Sequence, residues 1–321
     1  MKEEDIRPKE LFRRYLELSE RDARNFCSDD LDHVPCPACG ADESEIRFQK
    51  NGFQYVLCRV CRSLYCSPRP SKESLARFYS SSESAKFWSD VFSPAVAEKR
   101  RTSLFRSKAG QIADLLSKQS LSPQKICDVG AGSGIFLGEL RLFFPDAKLF
   151  AIEPNASFAS KCRTRKIETL EANAEESAVW AGKFDLLIST EVIEHVYSPF
   201  DFVKCLYELV LPGGLCLMTG LGYEGFDILI LQEESNSVFP PHHLNFLSVL
   251  GFETLFQRSG FENVQVWTPG RLDVDIVLNS ETSNEFVRVL RTRGQQAIED
   301  FQCFLNKHKL SSHVWVTGIR A

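Results

Sequence analysis

The chain has 321 residues, 43% of them hydrophobic and 25% charged, which is enough for one large domain with a substantial core and a smaller domain. Its formal net charge of −5 and calculated pI near 5.8 provide no overall positive potential. This argues against an enzyme that binds long nucleic acid through the phosphates. The first residues are charged and no apolar stretch has the length of a signal or membrane segment, so we expect a cytoplasmic protein without a membrane partner.

The first predicted element is a short amphipathic helix. Apolar residues recur among charges within residues 8–26, which favours a packing role for this helix in an N-terminal region of residues 1–30. Elsewhere in the chain, cysteines on apolar runs are predicted to be small core residues: Cys127, Cys162, Cys205 and Cys216.

Residues 31–70 carry two C-x-x-C pairs with the spacing of zinc ligands, namely Cys36, Cys39, Cys58 and Cys61. Each pair closes a tight turn and four thiolates complete a tetrahedron, so this region is predicted to be a zinc ribbon with a structural Zn²⁺ ion. Cys66 is a spare thiol for which burial is the favoured interpretation. Four aromatic residues form either the ribbon's own small core or a stacking platform: Phe48, Phe53, Tyr55 and Tyr65.

Residues 71–118 are predicted to be a helical linker that follows a break at 67–71. Its segment 84–118 is rich in Phe, Trp and Arg and lies directly before the glycine-rich stretch described below. This position suits a lid, although its aromatic residues can equally well pack against the core.

From residue 119 to 321, strands and helices alternate, which predicts βαβ units and a parallel sheet. The predicted strands are 125–128, 148–152, 167–170, 184–189, 214–219, 261–267 and 313–319. Insertions are expected near 221–245 and near 270–310, and the second carries a long charged helical pattern.

After the first of these strands, the sequence D-x-G-x-G-x-G runs from Asp128 to Gly134. Glycine is needed where the backbone takes positive φ or where a ligand presses against it, so the stretch predicts a surface on which a cofactor lies. A dinucleotide fingerprint requires glycine or alanine where Ile135 stands, so an NAD-dependent oxidoreductase is disfavoured. The negative charge of Asp128 suits an ammonium group better than a pyrophosphate. Glu153, at the end of the next strand, can accept hydrogen bonds from both hydroxyls of a ribose.

The fourth strand leads into E-x-x-E-H, formed by Glu191, Glu194 and His195. Ligands of open α/β folds bind at this carboxyl end of the sheet. These three side chains can converge on a divalent cation or act as acid and base. His242 and His243 follow in the insertion after the fifth strand, which can close over the site.

The glycine motif with Glu153 resembles the first motifs of class I S-adenosylmethionine (SAM) methyltransferases. Over residues of about 36–268 and the terminal strand, the chain resembles a group that includes ubiquinone-type O-methyltransferases, small-RNA 2′-O-methyltransferases and zinc-ribbon-bearing deoxysugar C-methyltransferases. The resemblance implies a Rossmann-like seven-stranded α/β sheet with helices on both faces, plus the small ribbon domain. It implies SAM as cofactor, with these binding residues: Asp128, Gly130, Ala131, Gly132, Glu153, Ala174, Glu175 and Thr190.

The same resemblance implies a divalent cation, Mg²⁺ or another, that orients the acceptor hydroxyl. The matching ligands are Glu191, Glu194, His195 and His243, with His242 as a competitor. E-V-I-E-H also occurs in relatives in which the Glu and His can serve as bases without a metal, so both mechanisms stay open.

A sulfonium methyl is already activated, so the protein has to align acceptor, methyl and sulfur and remove the acceptor's proton, with His195 as candidate base. The leading hypothesis is a SAM-dependent methyltransferase acting on a small hydroxylated metabolite. A sugar or nucleotide-linked sugar is favoured because the ribbon accompanies the sugar-modifying relatives. RNA 2′-O-methylation is the first alternative and is disfavoured by the acidic charge balance. A catalytically inactive ribbon protein is the second, and the intact motifs argue against it.

Overall fold

The computed structural model describes residues 2–321. In that part of the chain the strands β1 to β13 are Leu31–Asp32, Ser44–Lys50, Phe53–Cys58, Leu64–Cys66, Arg69–Pro70, Lys125–Val129, Lys148–Ile152, Glu168–Leu170, Phe184–Thr190, Val210–Leu221, Asn245–Phe246, Phe261–Trp267 and His313–Arg320. The α-helices α1 to α14 are Glu3–Ile6, Lys9–Ala23, Lys72–Ser81, Glu83–Phe87, Ser93–Arg100, Arg106–Lys118, Ile135–Leu140, Ala156–Thr164, Pro199–Leu209, Phe226–Leu231, Val249–Arg258, Asp273–Asn279, Glu285–Arg291 and Gln295–Lys307. Short 3₁₀ helices span Ser28–Asp30, Ala174–Glu176, Ala178–Trp180 and Gln232–Glu234, and π-helical turns span Trp88–Phe92 and Arg101–Phe105. No helix among residues 2–321 is long and apolar enough to cross a membrane.

A seven-stranded sheet in the order β12-β13-β10-β9-β6-β7-β8 forms the centre of the molecule. The strands β6 to β10 are parallel, because each is reached through a helical or loop crossover. All seven predicted strands are present, and the Rossmann-like sheet is confirmed. β13 differs from the expected parallel sheet, since it pairs antiparallel with β10 and with β12.

The antiparallel direction of β13 has a topological cause. β12 ends at the carboxyl edge of the sheet and β13 begins at that same edge, so residues 268–312 leave and return on one side. The alternation of strands and helices in the sequence does not carry this information. The charged helical pattern predicted within the insertion near 270–310 is two helices, α13 and α14, separated at Gly294, whose φ of +82° interrupts the helix. This insertion therefore lies at the edge where the ligands of such sheets bind.

The ribbon forms a second sheet in the order β11-β4-β3-β2, with antiparallel pairing throughout. Its fourth strand, β11, comes from the insertion after β10, so the ribbon is joined to the methyltransferase-like core by main-chain pairing. The aromatic residues that the sequence left between two roles are buried in cores that the ribbon shares with the rest of the chain, which excludes an exposed stacking platform: Phe48, Phe53, Tyr55 and Tyr65. Three of the four cysteines predicted in the core are buried, and Cys205 is half-buried.

A nearly continuous helical run from α4 to α6 packs on the N-terminal helix α2. Ser82 begins this run, because its side chain accepts a hydrogen bond from the backbone N–H of Ala85. Tyr15 of α2 packs against Trp88 and Phe92, with ring centroids 5.1 and 6.0 Å apart. These contacts bring the N-terminal helix over the carboxyl end of the central sheet, where the cavity described below opens.

Candidate active site

Strand β6 ends in a turn whose three glycines, Gly130, Gly132 and Gly134, all have positive φ. A methyl group on Gly130 would lie 2.4 Å from a side-chain carbon of Val192, so no larger residue fits there. A methyl group on Gly132 would meet nothing within 4 Å, because this residue faces open space. The backbone at Gly132 is therefore a bare surface that a ligand can approach closely.

Two buried acids flank this surface. Asp128 Oδ1 is buried and has no hydrogen-bond partner among residues 2–321. Burial raises the pKa of Asp128 to about 8, opposed by Lys108 and reinforced by Glu153. The carboxylate of Glu153 accepts hydrogen bonds from the backbone N–H of Gly132 at 2.7 Å and of Asn155 at 2.9 Å. Burial raises the pKa of Glu153, and these two N–H groups oppose the rise.

A cavity of about 1200 Å³ opens at the carboxyl end of the sheet. Every residue predicted to bind the cofactor lines it: Asp128, Gly130, Ala131, Gly132, Glu153, Ala174, Glu175 and Thr190. An unpartnered buried carboxyl, a bare glycine backbone and a second carboxyl with free lone pairs suit a cofactor with an ammonium group and a ribose. The chain's residues therefore fit SAM.

Two histidines and a glutamate meet in the lining of the same cavity. One ligand atom from each of Glu194, His195 and His243 lies within 4.8 Å of the others, and the two imidazole centroids are 4.6 Å apart. His195 Nδ1 lies 2.9 Å from the carbonyl oxygen of His242, and His243 Nδ1 lies 2.6 Å from that of Ser237. A carbonyl can only accept, so each Nδ1 carries the proton and each Nε2 keeps its lone pair.

The electrostatics keep this cluster uncharged on its own. Burial lowers the pKa of His195 to about 4 and lowers the pKa of His243 well below its ordinary value. Burial, with the nearby charge of Glu191, raises the pKa of Glu194 far above its usual range, and Glu194 Oε2 is buried without a partner. Two neutral imidazoles with anchored Nδ1–H groups and a carboxyl with a free oxygen can hold a divalent cation or accept a proton.

Glu191 lies outside this cluster, which differs from the expected set of four converging ligands. Its carboxylate accepts hydrogen bonds from Thr219 Oγ1 at 2.7 Å and from Lys108 Nζ at 3.3 Å, and His313 Nδ1 lies 3.3 Å away. Burial raises the pKa of Glu191, but His313 and Lys108 outweigh it and lower the pKa to about 2. The backbone of Glu191, at φ +55°, turns the carboxylate toward these partners.

His242 is also engaged elsewhere. Its Nε2 lies 2.9 Å from Ser84 Oγ, and its ring packs on those of Phe78 and Tyr15. Its carbonyl oxygen, rather than its ring, contributes to the site by accepting from His195. Tyr79 adds a hydroxyl 3.2 Å from His195 Nδ1.

Several residues that shape the site carry no motif in the sequence. Asn245 donates from Nδ2 to the carbonyls of Ile193 and Val196, at 3.1 and 2.9 Å, and so fastens the insertion to the E-x-x-E-H turn. Lys108 and His313 come from a helix before the glycine turn and from the last strand. Only the three-dimensional fold brings these side chains to one place, so spacing in the sequence gives no signal for them.

The four ribbon cysteines come together as predicted from their spacing. Cys36 Sγ lies 3.5 Å from Cys61 Sγ, and Cys39 Sγ lies 3.5 Å from Cys58 Sγ. A tetrahedron of thiolates at about 2.3 Å from Zn²⁺ places sulfurs roughly 3.8 Å apart, so the cluster has the size of a zinc site. Cys66 Sγ contacts the carbonyl of Pro68 and stays outside this cluster.

Comparison with known proteins agrees with this geometry. A family model described as a methyltransferase domain matches residues 97–266, more than half of the chain. The ubiquinone biosynthesis O-methyltransferase of Ruegeria pomeroyi is 24% identical over 199 residues, covering 56% of this chain and 80% of that protein. The mitochondrial ubiquinone biosynthesis O-methyltransferase of Arabidopsis thaliana is 34% identical over 101 residues, covering 30% of this chain and 31% of that protein. The match thus spans about a third of the Arabidopsis protein.

The fold is also found among solved structures. The plantazolicin methyltransferase BamL, in complex with a triazolic desmethylPZN analog and SAH, matches with a TM-score of 0.52 and 18% identity, covering 77% of this chain and 94% of that one. At this identity the likeness shows the fold alone.

Proposed function

The chain belongs to the methyltransferase-domain family, in its SAM-dependent class, and from that premise we propose that the protein methylates an oxygen atom of a small hydroxylated metabolite. The observation that carries the proposal is that one cavity is lined by two sets of functional groups. The glycine turn with Asp128 and Glu153 forms one set, and the Glu194, His195 and His243 cluster forms the other. A methyl donor held by the first set shares the cavity with groups that can orient and deprotonate an acceptor.

The cofactor supplies an activated methyl group, so the residues of this chain position the acceptor and take its proton. Asp128 and the glycine backbone hold the donor, with Glu153 on its ribose and Ala174 and Glu175 beside its base. The free Nε2 of His195 accepts the hydroxyl proton as the methyl is transferred, and the carbonyl of His242 keeps the ring in the required tautomer.

The three-residue cluster also fits a divalent cation such as Mg²⁺ or Mn²⁺. Glu194 Oε2 and the Nε2 atoms of His195 and His243 would be its ligands, in which case His195 would hold the ion and would not also act as the base. A bound cation would lower the pKa of the acceptor hydroxyl, and this matters because a buried histidine is a weak base. The carboxyl of Glu194 would then be held ionised by the ion.

A hydroxyl-rich acceptor is supported by a further carboxyl in the cavity. Both oxygens of Asp227 are buried without a partner among residues 2–321, and burial, with Asp273 nearby, raises the pKa of Asp227 to about 8. Such a group is satisfied when hydroxyls of a ligand reach it. A sugar or nucleotide-linked sugar has hydroxyls of this kind. Transfer to oxygen is supported by the curated relatives, whose names are those of O-methyltransferases.

The test combines cofactor binding with methyl transfer. Purified protein is titrated with S-adenosylhomocysteine by calorimetry and then incubated with labelled SAM and a panel of sugars, nucleotide sugars, phenolic acids and a small RNA duplex. We expect saturable binding and label in a small hydroxylated compound. Label in the RNA would replace the proposal with 2′-O-methylation, and absence of S-adenosylhomocysteine binding would remove the methyltransferase assignment.

A further inference from the structure

The cavity is lined by two arginines that make no hydrogen-bonded ion pair with a carboxylate. Arg100, the last residue of α5, and Arg7, which follows α1, both line it. Among residues 2–321, no carboxylate oxygen lies within 4 Å of the Arg100 guanidinium, and its Nε is buried without a hydrogen-bond partner. The closest ion-pair contact of Arg7 is Glu3 Oε1 at 3.9 Å, beyond hydrogen-bond distance.

Arg100 keeps its charge in this setting. Burial lowers the pKa of Arg100 to about 10, and the charge of the neighbouring Arg7 lowers it further, whereas Glu191 and Tyr15 oppose the decrease. Arg100 therefore remains protonated at neutral pH. The rings of Trp88 and Phe92, 5.1 and 5.8 Å from the guanidinium carbon, face it but accept no N–H hydrogen bond.

Arg100 is half-buried and its buried Nε is unpaired, which is costly, and a guanidinium binds carboxylate and phosphate with two parallel hydrogen bonds. The carboxyls that line the same region do not supply this partner. Glu191 is paired with Lys108, and burial raises the pKa of both Glu194 and Asp227 toward their neutral forms. Among residues 2–321, the Arg100 guanidinium therefore has no carboxylate within ion-pair distance, and Arg7 has only the 3.9 Å contact with Glu3.

The cavity has room for the missing anion. Its volume of about 1200 Å³ exceeds the roughly 300–1000 Å³ that a pocket for one ligand usually occupies, so an acceptor fits beside the cofactor. Arg7, which follows α1, and Arg100, at the end of α5, line the same cavity as the glycine turn. An anion held there leaves the hydroxyl of the same molecule free to approach the histidines.

We infer that the acceptor is an anion whose phosphate or carboxylate group is bound by Arg100 together with Arg7. This rests on the proposed function and narrows it to hydroxylated acceptors that carry a negative group, such as sugar phosphates, nucleotide-linked sugars or hydroxy acids. The anion-binding residues set the distance between the charged end of the acceptor and the reacting hydroxyl.

The experiment titrates the full-length protein with inorganic phosphate and with acetate, each with and without S-adenosylhomocysteine. Binding is followed by calorimetry in wild type, Arg100→Gln, Arg7→Gln and the control Lys99→Gln, which removes an exposed cation from the same helix outside the cavity. We expect one of the two ions to bind wild type and Lys99→Gln equally and to bind Arg100→Gln roughly 10–100-fold more weakly, since a hydrogen bond to a charged group contributes about 1.5–3 kcal/mol. S-adenosylhomocysteine affinity should not change. The ion that binds more tightly identifies the acceptor's charged group.

The inference would be overturned if wild type bound neither ion, or if Arg100→Gln and Arg7→Gln both bound the ion with the wild-type affinity. The wild-type titration and Arg7→Gln decide the matter if Arg100→Gln does not fold. The titrations without S-adenosylhomocysteine report on the anion site even if the cofactor does not bind, so a failure of the methyltransferase proposal is distinguishable from a failure of this one.

Discussion

The hydroxyl of Tyr55, in the ribbon, donates a hydrogen bond of 2.6 Å to the carbonyl oxygen of His243, in the candidate active site. The same connection continues through the main chain, because the N–H of Cys66 donates to the carbonyl of Leu244 and the N–H of Leu244 donates to the carbonyl of Glu194. Two hydrogen bonds therefore attach the ribbon to the insertion that carries His243, and a third attaches this insertion to the E-x-x-E-H turn. The ribbon supports the segment that carries the histidines.

Tyr55→Phe tests this support directly. Removing the hydroxyl leaves a buried carbonyl without its partner, which should lower the free energy of unfolding by about 1–3 kcal/mol. A displaced His243 should reduce methyl transfer by roughly tenfold to a hundredfold, because small misplacements of reacting groups are costly. Affinity for S-adenosylhomocysteine should stay at the wild-type level, as measured by calorimetry. Tyr65→Phe is the matched control, since its hydroxyl makes no contact with the histidine; equal losses in both variants would contradict the role given to Tyr55.

Loss of zinc should act through the same connection. Cys58→Ser and Cys61→Ser each remove one of four thiolates, so zinc measured by mass spectrometry of metals should fall from near one ion per chain to a small fraction. Activity should fall with it, because β4 of the ribbon pairs with β11 next to His243. Cys66→Ser should retain zinc, since its sulfur lies outside the cluster. Full zinc occupancy in the Cys58 and Cys61 variants would rule out the ribbon site.

The histidine cluster predicts a strong dependence on His195. His195→Ala should lower the turnover rate by about 10²–10⁴-fold, which is the usual contribution of a positioned base, and leave S-adenosylhomocysteine binding intact. Dialysis against a chelator should have a similar effect, reversed by Mg²⁺ or Mn²⁺, if the cluster holds a cation. Activity that survives exhaustive chelation would show that the histidines work without a metal, and full activity in His195→Ala would exclude it as base.

Cofactor affinity should depend on pH through Asp128. Its pKa is raised by burial to about 8, with Lys108 and Glu153 as its charged neighbours, so it is largely protonated in the free protein below pH 8. An ammonium group of the cofactor favours the ionised form, so binding should release a proton and strengthen as pH rises from 6 to 8, by at most about tenfold per unit. Asp128→Asn should bind more weakly and lose this slope. The raised pKa also means that the free energy of unfolding contributed by Asp128 decreases as pH rises from about 4 to 8. An unchanged pH slope in Asp128→Asn would exclude the assignment.

The sequence predicted the sheet because strand and helix periodicities are local. Each β-strand of the central sheet lies within a few residues of its predicted bounds. The glycine turn could be predicted because a backbone with positive φ favours glycine. The direction of β13 was not predictable, since it depends on which edge the chain returns to after residues 268–312. The pairing of β11 with the ribbon was hidden for the same reason.

For the site, local motifs indicated which residues are candidates for catalysis but not the separate role of each one. Glu191 and Glu194 stand three residues apart and look equivalent in the sequence. The fold separates them, because Lys108, Thr219 and His313 arrive at Glu191 from three other elements, while Glu194 turns toward His243. No spacing along the chain encodes such contacts.

The pair of Lys108 and Glu191 yields an asymmetric stability prediction. The Lys108 side chain is 4% exposed and that of Glu191 is 38% exposed, so removing the carboxylate leaves a buried cation, whereas removing the cation leaves a carboxylate that water can reach. We expect Glu191→Gln to lower the free energy of unfolding by about 3–5 kcal/mol and Lys108→Met by only about 1 kcal/mol. The double variant should be more stable than Glu191→Gln alone, because it contains no unpaired charge.

The stability contributed by Glu191 should also depend on pH. The pKa of Glu191 is lowered to about 2, so its contribution to the free energy of unfolding is complete above its unfolded pKa near 4.3 and disappears as pH falls toward 2. Urea unfolding at pH 7 and at pH 3 measures all these values; equal effects of the two single variants, or a wild-type advantage that persists unchanged at pH 3, would contradict the buried ion pair.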